Sequence, residues 1–420
     1  MSDVETLLEE IAAIGATEHG GVRRLAWTEE DARLAQWFAG ACAERGLEVG
    51  TDRCGNQWAW WGDPDAELPA EDGDGEGEDG LSADGTLPRG GVVTGSHLDS
   101  VPDGGGYDGP LGVATALAAV DELKARDFTP RRAIGVVRFV DEEGARFGVP
   151  CAGSRLLTGQ AEPADVLARL DDDGISYAEA AAKAGLDVHA IGRDDAALNR
   201  VGAFVEVHVE QGFTLAAEEV DSPLGVCGLI RPHGRWRVEI HGRGDHAGTA
   251  RFADRSDPML ELGRLITTVR SVASRQDALA TVGRVEVHPN VTNAVPAVVV
   301  AWVDIRADTT GQVKSVASEI KASGFDLEQE SWTPPTPLGG PLTDRITHVA
   351  GDAVGIGPLP VLATGAGHDA GVLATAGVPA AMIFVRNPSG ISHAPEEAVR
   401  PADTALGVRS LAAVLADLCG

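Results

Sequence analysis

Apolar residues recur along the chain with the spacing of helices and of buried strands. A period of three to four residues predicts amphipathic helices, and short continuous apolar runs predict strands buried on both faces. In the first half, the predicted helices are 3–15, 29–46, 113–125 and roughly 160–185, and the predicted strands are 91–98, 133–143 and 203–210. Strands and helices that alternate in this way predict an α/β fold, with a mixed, mostly parallel sheet and helices on both faces.

The pattern changes over residues 229–336, which predict a smaller α+β module. Its predicted strands are 235–242, 283–288 and 297–307, and its predicted helix is 257–273. This helix begins at Asp257-Pro258, a favourable N-cap and N1 pair. Strand and helix signals resume after the Pro- and Gly-rich stretch 334–341. We therefore expect one large domain, over 1–228 and 337–420, interrupted by the module at 229–336.

One segment, 63–89, fits neither pattern. It is rich in Asp, Glu and Gly and carries no basic residue between Asp63 and Asp84. Such a composition cannot bury enough apolar surface to fold by itself. We therefore expect a flexible acidic surface insert. Cation binding by this segment is disfavoured, because the ligand spacing of an EF-hand is absent.

Composition restricts the function classes that remain open. The net charge of −30 argues against nucleic acid and anionic membranes as partners. No apolar run reaches the length of a membrane span, and the first residues lack the features of a signal peptide. Five cysteines without a CxxC pair favour free thiols and a reducing, cytoplasmic location.

Acidic residues and imidazoles follow several of the predicted strands. His97 and Asp99 end one strand, Glu142 and Glu143 end the next, and His208 lies in the third. Asp108 follows in a glycine-rich loop, and His393 lies near the C-terminus. Each residue alone also fits an ordinary structural role, such as a turn, a helix start or a hydrogen-bonded strand residue. Because the carboxyl ends of strands gather at one edge of an open α/β sheet, their coincidence favours a metal site. Mixed imidazole and carboxylate ligands suit Zn²⁺, Mn²⁺, Co²⁺ or Ni²⁺ better than Ca²⁺.

Eight motifs in a fixed order resemble one known enzyme family. They are GSHLDSVPDGGGYDGPLG, DEEGARFG, VHVEQG, DHAGT, PNVTNAVPA, DIRAD, GAGHDA and GISHAPEE. The resemblance is to the N-carbamoyl-L-amino-acid hydrolases, β-ureidopropionases and allantoate amidohydrolases, within the clan of di-metal aminoacylases and exopeptidases. It covers nearly the whole chain apart from the acidic insert.

The resemblance implies a site with two divalent metal ions. His97, Asp108 and His208 would bind one ion, and Asp108, Glu143 and His393 would bind the other, with Asp108 as the bridge. Independently of the resemblance, the two-residue spacing on a strand places Asp99 on the same side as His97. We therefore expect Asp99 to support catalysis by orienting the His97 ring, as carboxylates behind ligating imidazoles do.

The resemblance also implies the remaining roles. Glu142 matches the general base, and His246 matches the imidazole that reaches the substrate from the partner subunit of a homodimer. Gln211, Asn293 and Arg306 match substrate-contacting positions, with His368 in support. Without the motif, an ion pair with Asp304 or Asp308 would be the favoured role of Arg306. The module at 229–336 would then be a lid and dimerisation domain.

The implied activity is hydrolysis of the ureido C–N bond of an N-carbamoyl-L-amino acid, a small carboxylate substrate. Allantoate is the alternative substrate, and the sequence GISHAPEE favours the carbamoyl branch over it. A peptidase or aminoacylase of the same clan is more remote, because those branches usually have a carboxylate at the position of His208. A catalytically inactive relative would lack a ligand or the base, and none is missing.

Overall fold

The structure is a computed structural model that describes residues 3–66 and 87–420. Most of the predicted acidic insert, residues 67–86, lies outside the described residues. The chain divides into two compact units, one formed by residues 1–229 and 337–420 and the other by residues 230–336.

Helices and strands are numbered here in chain order. The helices are α1 (Val4–Ala12), α2 (Glu29–Glu44), α3 (Pro110–Ala125), α4 (Ala152–Thr158), α5 (Pro163–Leu167), α6 (Tyr177–Lys183), α7 (Asp195–Leu198), α8 (Pro258–Arg275), α9 (Thr310–Ala322), α10 (Pro341–Ala353), α11 (Asp369–Thr375) and α12 (Pro401–Cys419). The strands are β1 (Glu48–Thr51), β2 (Gln57–Trp61), β3 (Gly91–His97), β4 (Ile134–Phe139), β5 (Val201–Val209), β6 (Leu224–Ile230), β7 (His233–His241), β8 (Asp245–His246), β9 (Leu279–His288), β10 (Ala294–Val295), β11 (Val298–Arg306), β12 (Glu328–Thr333), β13 (Thr336–Pro337), β14 (Val361–Thr364) and β15 (Ala380–Val385).

The larger unit is built on a mixed sheet, which confirms the predicted α/β class. The strand order is β1-β2-β4-β3-β5-β15-β6-β13, and β14 pairs with β6. The four central strands β4, β3, β5 and β15 are parallel, and β1, β2 and β6 join antiparallel. The carboxyl ends of the four central strands therefore meet at one edge of the sheet.

Both faces of the central strands are buried, as their continuous apolar runs predict. On β5, Val205 and Val207 pack into a core with residues of α1, α3, α10 and α12. The alternate residue Phe204 points to the other face, where its ring lies 5.7 Å from Phe139. His208 has the same parity as Phe204, so β5 carries it on the face opposite the α3 core.

The structure corrects several predicted elements. The stretch 160–185 is not one helix but two short ones, α5 and α6, interrupted near the Asp- and Gly-rich turn at 171–174. The strand predicted over 133–143 ends at Phe139, so Glu142 and Glu143 lie in the loop that follows it. The hairpin β1–β2 and the strand β15 were not among the predicted elements.

The smaller unit, 230–336, combines a four-stranded antiparallel sheet, in the order β12-β7-β11-β9, with α8 and α9. Alternate residues of β7, such as Trp236 and Val238, pack with Leu265 and Val269 of α8. A separate two-stranded ribbon pairs β8 with β10.

The cysteines and the hydropathy of the helices were both subjects of sequence-based expectations. All five cysteines are free thiols, and all are buried. Across residues 3–66 and 87–420, none of the helices has the length and hydropathy that crossing a bilayer requires.

The buried ion pair between α2 and α3 generates a stability prediction. Both Nε and Nη2 of Arg45 donate to Oδ2 of Asp121, at 3.1 and 2.7 Å. We expect Asp121→Ala to lower the free energy of unfolding by about 3–5 kcal/mol, because it leaves a buried guanidinium without its counter-charge. Urea unfolding followed by circular dichroism measures the change.

The matched control is Glu122→Ala, one residue along the same helix. Glu122 pairs with Arg126, whose side chain is half exposed, and such pairs contribute about 1 kcal/mol or less. Equal losses in the two variants would contradict the assignment of the larger effect to the buried charge.

Candidate metal centre

The metal-ligating candidates of the larger unit lie at the carboxyl ends of neighbouring parallel strands. His97 is the last residue of β3, and His208 is the penultimate residue of β5. Glu143 follows β4, which pairs with β3, and His393 follows β15, which pairs with β5. The sheet order thus brings together side chains that are up to 296 residues apart in the chain.

Asp108 lies at the centre of these residues, and its two carboxylate oxygens face different partners. Oδ1 is 3.5 Å from Nε2 of His97 and 3.2 Å from Nε2 of His208. Oδ2 is 3.4 Å from Nε2 of His393, which is itself 3.5 Å from Oε2 of Glu143. A carboxylate whose two oxygens face different partners can bridge two cations.

Two sets of ligands result, and each can hold a metal ion. The sets are His97, Asp108 and His208, and Asp108, Glu143 and His393. Within each set the donor atoms lie within 4.8 Å of one another. Nε2 of His97 and of His208 is buried and has no hydrogen-bond partner among the described residues. A buried ring nitrogen without a partner is costly unless it binds an ion, so the donors fit a metal.

The tautomer of both imidazoles of the first set is fixed by backbone carbonyls. Nδ1 of His97 lies 3.1 Å from the carbonyl oxygen of Asp99, and Nδ1 of His208 lies 2.9 Å from that of Val209. Each Nδ1–H donates to its carbonyl, so Nε2 is the ring nitrogen that faces Asp108 and that can bind a metal ion in place of a proton.

A glycine places the Asp108 loop directly against the His97 ring. A Cβ atom at Gly109 would lie 2.6 Å from Cε1 and from Nδ1 of His97, so only glycine fits. Gly109 also has φ +83°, a conformation that other residues rarely adopt. The loop thereby brings Asp108 back to the end of β3, and α3 begins directly afterwards.

The electrostatics of Asp108 and His393 reflect their mutual contact. Burial opposes ionisation of Asp108, but the positive charge of His208 and the close approach of all three imidazoles hold its pKa well below the usual range. The hydrogen bond to Asp108 raises the pKa of His393 to about 9. Asp108 is therefore ionised, and its negative charge attracts positive charge to the carboxylate that both ligand sets share.

The two adjacent glutamates of DEEG occupy different positions. Burial, and then the charge of Asp108, raises the pKa of Glu143 to about 7. Burial likewise raises the pKa of Glu142 well above its usual range, although His97 opposes this. Oε2 of Glu142 is 3.8 Å from Nε2 of His97, and Oε1 lies 3.3 Å from Sγ of Cys151. Glu142 lies beside the first ligand set without belonging to either set.

Asp99 acts on the glutamates more directly than on the imidazole. Its carboxylate accepts hydrogen bonds from the backbone N–H groups of Glu142, at 3.2 Å, and of Glu143, at 3.1 Å. Its Oδ1 lies 3.6 Å from Nδ1 of His97, whose hydrogen bond goes instead to the Asp99 carbonyl. The Asp99 carboxylate thus lies beside the His97 ring while it holds the backbone of both glutamates, although β3 itself ends at His97.

Gln211 and His368 also lie at this centre. Nε2 of Gln211 donates to Oδ2 of Asp108 at 2.7 Å and lies 3.4 Å from Nε2 of His393. The His368 ring is buried, with its centroid 4.5 Å from that of His208. Neither ring nitrogen of His368 has a hydrogen-bond partner among the described residues. Burial, and then the charge of His208, holds its pKa well below the usual range, so the ring is neutral.

The other three predicted residues lie in the smaller unit. His246 is exposed on β8, opposite Ala294 of β10, and the N–H of Ala247 donates to the carbonyl of Asn293 at 3.0 Å. His246 and Asn293 are therefore close neighbours. Arg306 ends β11 and binds Asp304 through Nε at 2.7 Å and Nη2 at 3.1 Å. This ion pair is the alternative role that the sequence had left open for Arg306.

Sequence reasoning missed a buried glutamate beside the centre. Glu206 is fully buried and accepts hydrogen bonds from Oγ of Ser96 at 2.7 Å and from the N–H of Ala370 at 3.1 Å. With His208 and His368 it forms a further set of potential ligands. Its place inside the apolar run AFVEVHVE was the available signal, since an acid in a buried strand needs partners.

Comparison with known proteins places these motifs in a family. The model of "Peptidase family M20/M25/M40" matches residues 93–417. The N-carbamoyl-L-amino acid amidohydrolase of Geobacillus stearothermophilus is 34% identical over 96% of this chain and 95% of that protein. The allantoate amidohydrolase of Escherichia coli K12 is 30% identical over 99% of this chain and 97% of that protein.

A solved structure shows the same fold over the whole length. It is an amidase of the hydantoinase/carbamoylase family from Burkholderia vietnamiensis, 29% identical, with a TM-score of 0.83. The match covers 99% of this chain and 97% of that chain.

The shared position of Asp108 generates a prediction about metal content. We expect Asp108→Ala to lose both bound divalent ions, because both ligand sets contain this residue. His208→Ala and His393→Ala should each lose one ion, since each imidazole belongs to one of these two sets. Elemental analysis after dialysis against a weak chelator measures the ions per chain. A similar loss in all three variants would contradict the bridging arrangement.

Proposed function

Because this chain belongs to the M20/M25/M40 peptidase family and is, within it, an amidohydrolase of the carbamoylase and allantoate amidohydrolase group, we propose that it hydrolyses N-carbamoyl-L-amino acids. The observation that supports this proposal best is the division of the two Asp108 oxygens between two ligand sets. Such a pair of sets suits the activation of water against an unreactive ureido carbonyl.

Two divalent ions are part of the proposal, as Zn²⁺ or as Mn²⁺, Co²⁺ or Ni²⁺. His97, Asp108 and His208 would hold one ion, and Asp108, Glu143 and His393 would hold the other. When bound, these ions would polarise the carbonyl and make water acidic enough to attack near neutral pH.

Glu142 would move the proton. Its carboxylate takes a proton from the attacking water as the new C–O bond forms at the ureido carbon. It then gives this proton to the nitrogen of the amino acid as the C–N bond breaks. The other product is a carbamate, which decomposes to CO₂ and ammonia. Burial suits this double role, since it raises the pKa of Glu142 towards that of the groups with which it exchanges the proton.

The smaller unit would supply the substrate contacts. His246 would donate to the oxyanion that forms at the carbonyl, and such a donor contributes about 10²–10³ in turnover. Arg306 and Asn293 would bind the substrate carboxylate. Because Arg306 binds Asp304 in the structure, the substrate carboxylate would either replace Asp304 or share the Arg306 guanidinium with it. Gln211 and His368 would contact the substrate from the larger unit.

A homodimer is part of the same proposal, with the smaller unit as lid and dimerisation domain. This unit exposes several large apolar side chains, including Phe252, Leu260 of α8 and Leu279 of β9, each more than two-thirds exposed. β9 is moreover an edge strand of the four-stranded sheet. Exposed apolar residues beside an open sheet edge suit association with a second copy.

A substrate panel tests the proposed activity. We expect the metal-loaded protein to release ammonia from N-carbamoyl-L-amino acids, with weaker turnover of allantoate, and none of dipeptides. Higher turnover of allantoate would assign the alternative substrate. Dipeptide cleavage without ammonia release from any ureido compound would contradict the proposal in favour of a peptidase.

Mixing two inactive variants tests whether His246 acts across the dimer. We expect Glu142→Gln and His246→Ala each to lose at least about 10²-fold in kcat, through loss of the base and of the oxyanion donor. In a mixed dimer, the site that retains Glu142 would receive His246 from the partner. Refolding the variants together should therefore restore activity to about a quarter of all sites, if the subunits pair at random, because half of the dimers are mixed and each mixed dimer has one complete site. No recovery in dimers shown to be mixed would place His246 in its own subunit's site.

A further inference from the structure

A buried glutamate joins the loop of Asp108 to the loop of His393. Glu397 is 6% exposed and lies four residues after His393. Its Oε1 accepts the backbone N–H groups of Tyr107 and of Asp108, each at 2.9 Å. These contacts connect segments about 290 residues apart in the chain, so nothing local to either loop determines them.

Ser392 extends this contact to the Asp108 side chain. Its hydroxyl lies 3.0 Å from Oε2 of Glu397 and 3.0 Å from Oδ2 of Asp108. Oδ2 is the oxygen that faces His393 in the second ligand set. A hydroxyl has one hydrogen, so Ser392 holds the two carboxylates at a fixed separation by sharing this hydrogen between them.

A glycine of the same loop makes room for Glu397. A Cβ atom at Gly105 would lie 2.4 Å from Oε1 and 2.5 Å from Cβ of Glu397. Any other residue would push the glutamate away from the N–H groups that it accepts. One glycine of the run GGGYDG is thereby explained by the approach of a side chain from the C-terminal part of the chain.

We propose that Glu397 and Ser392 form a clasp that positions the bridging carboxylate of Asp108 between its two ligand sets. The inference rests on the proposed function, because it assumes that the two sets hold metal ions. Glu397 fixes the backbone of Asp108, and Ser392 links Glu397 to Oδ2, which Gln211 also holds. Glu397 is therefore a positioning residue, since it acts through Asp108 and is itself in neither ligand set.

The test compares zinc binding in four variants with the wild type. We expect Glu397→Ala to weaken binding of the more weakly held Zn²⁺ ion by about 10–100-fold, the usual effect of removing a residue that orients a ligand. Ser392→Ala should weaken it less, because the two backbone hydrogen bonds remain. Glu397→Gln keeps a carbonyl oxygen for both N–H groups and should recover most of the affinity. The matched control is Glu396→Gln, which changes the adjacent, exposed glutamate and should bind zinc as the wild type does.

Zinc affinities are measured by competition with a chelating dye, and turnover of an N-carbamoyl-L-amino acid is measured in parallel. We expect kcat of Glu397→Ala to fall while KM changes little, because the substrate contacts are elsewhere. Circular dichroism confirms that each variant is folded. If Glu397→Ala does not fold, Ser392→Ala and Glu397→Gln still carry the comparison.

Equal zinc affinity in Glu397→Ala, Ser392→Ala and Glu396→Gln would overturn the clasp. Failure of the proposed function looks different, because the affinities are measured without substrate. A wild-type protein that binds two zinc ions but releases no ammonia would contradict the substrate proposal and leave the clasp to be decided by the four affinities.

Discussion

The arrangement of the centre depends on one carboxylate that faces two ways. Asp108 presents Oδ1 to His97 and His208, and Oδ2 to His393, in a buried site. A buried carboxylate surrounded by further acids needs positive charge close to each oxygen. The three imidazoles provide this charge when protonated, and cations between the same atoms would provide it in their place.

Acids that belong to neither of the two ligand sets built on Asp108 hold the backbone of Asp108, of Glu143 and of the adjacent Glu142. Asp99 accepts the N–H groups of Glu142 and Glu143, and Glu397 accepts that of Asp108. Loops are otherwise the most variable parts of a fold, and such hydrogen bonds to the backbone reduce their freedom. The rigidity of the sheet is in this way extended to side chains that lie beyond the ends of its strands.

Much of the architecture could be predicted because its signals are local. Apolar runs indicated β3, β4 and β5, and Asp257-Pro258 indicated the start of α8, where the Asp257 side chain accepts the N–H of Met259. The single helix predicted over 160–185 was wrong, because alanine-rich periodicity outweighed the turn signals in the same window. The strand β15 was missed, although it completes the parallel part of the sheet.

The sequence by itself determined which residue types stand at the ends of the strands, and hence that His97, Asp108, Glu143, His208 and His393 are candidates for one centre. This follows from short-range pattern, together with the resemblance of eight ordered motifs. Only the tertiary structure decided which oxygen of Asp108 faces which imidazole, that Asp99 holds two backbone N–H groups, and that Glu397 enters beside Gly105. The physical reason is that hydrogen bonds between segments up to 290 residues apart leave no periodicity in the chain, because their geometry exists only once the sheet has assembled.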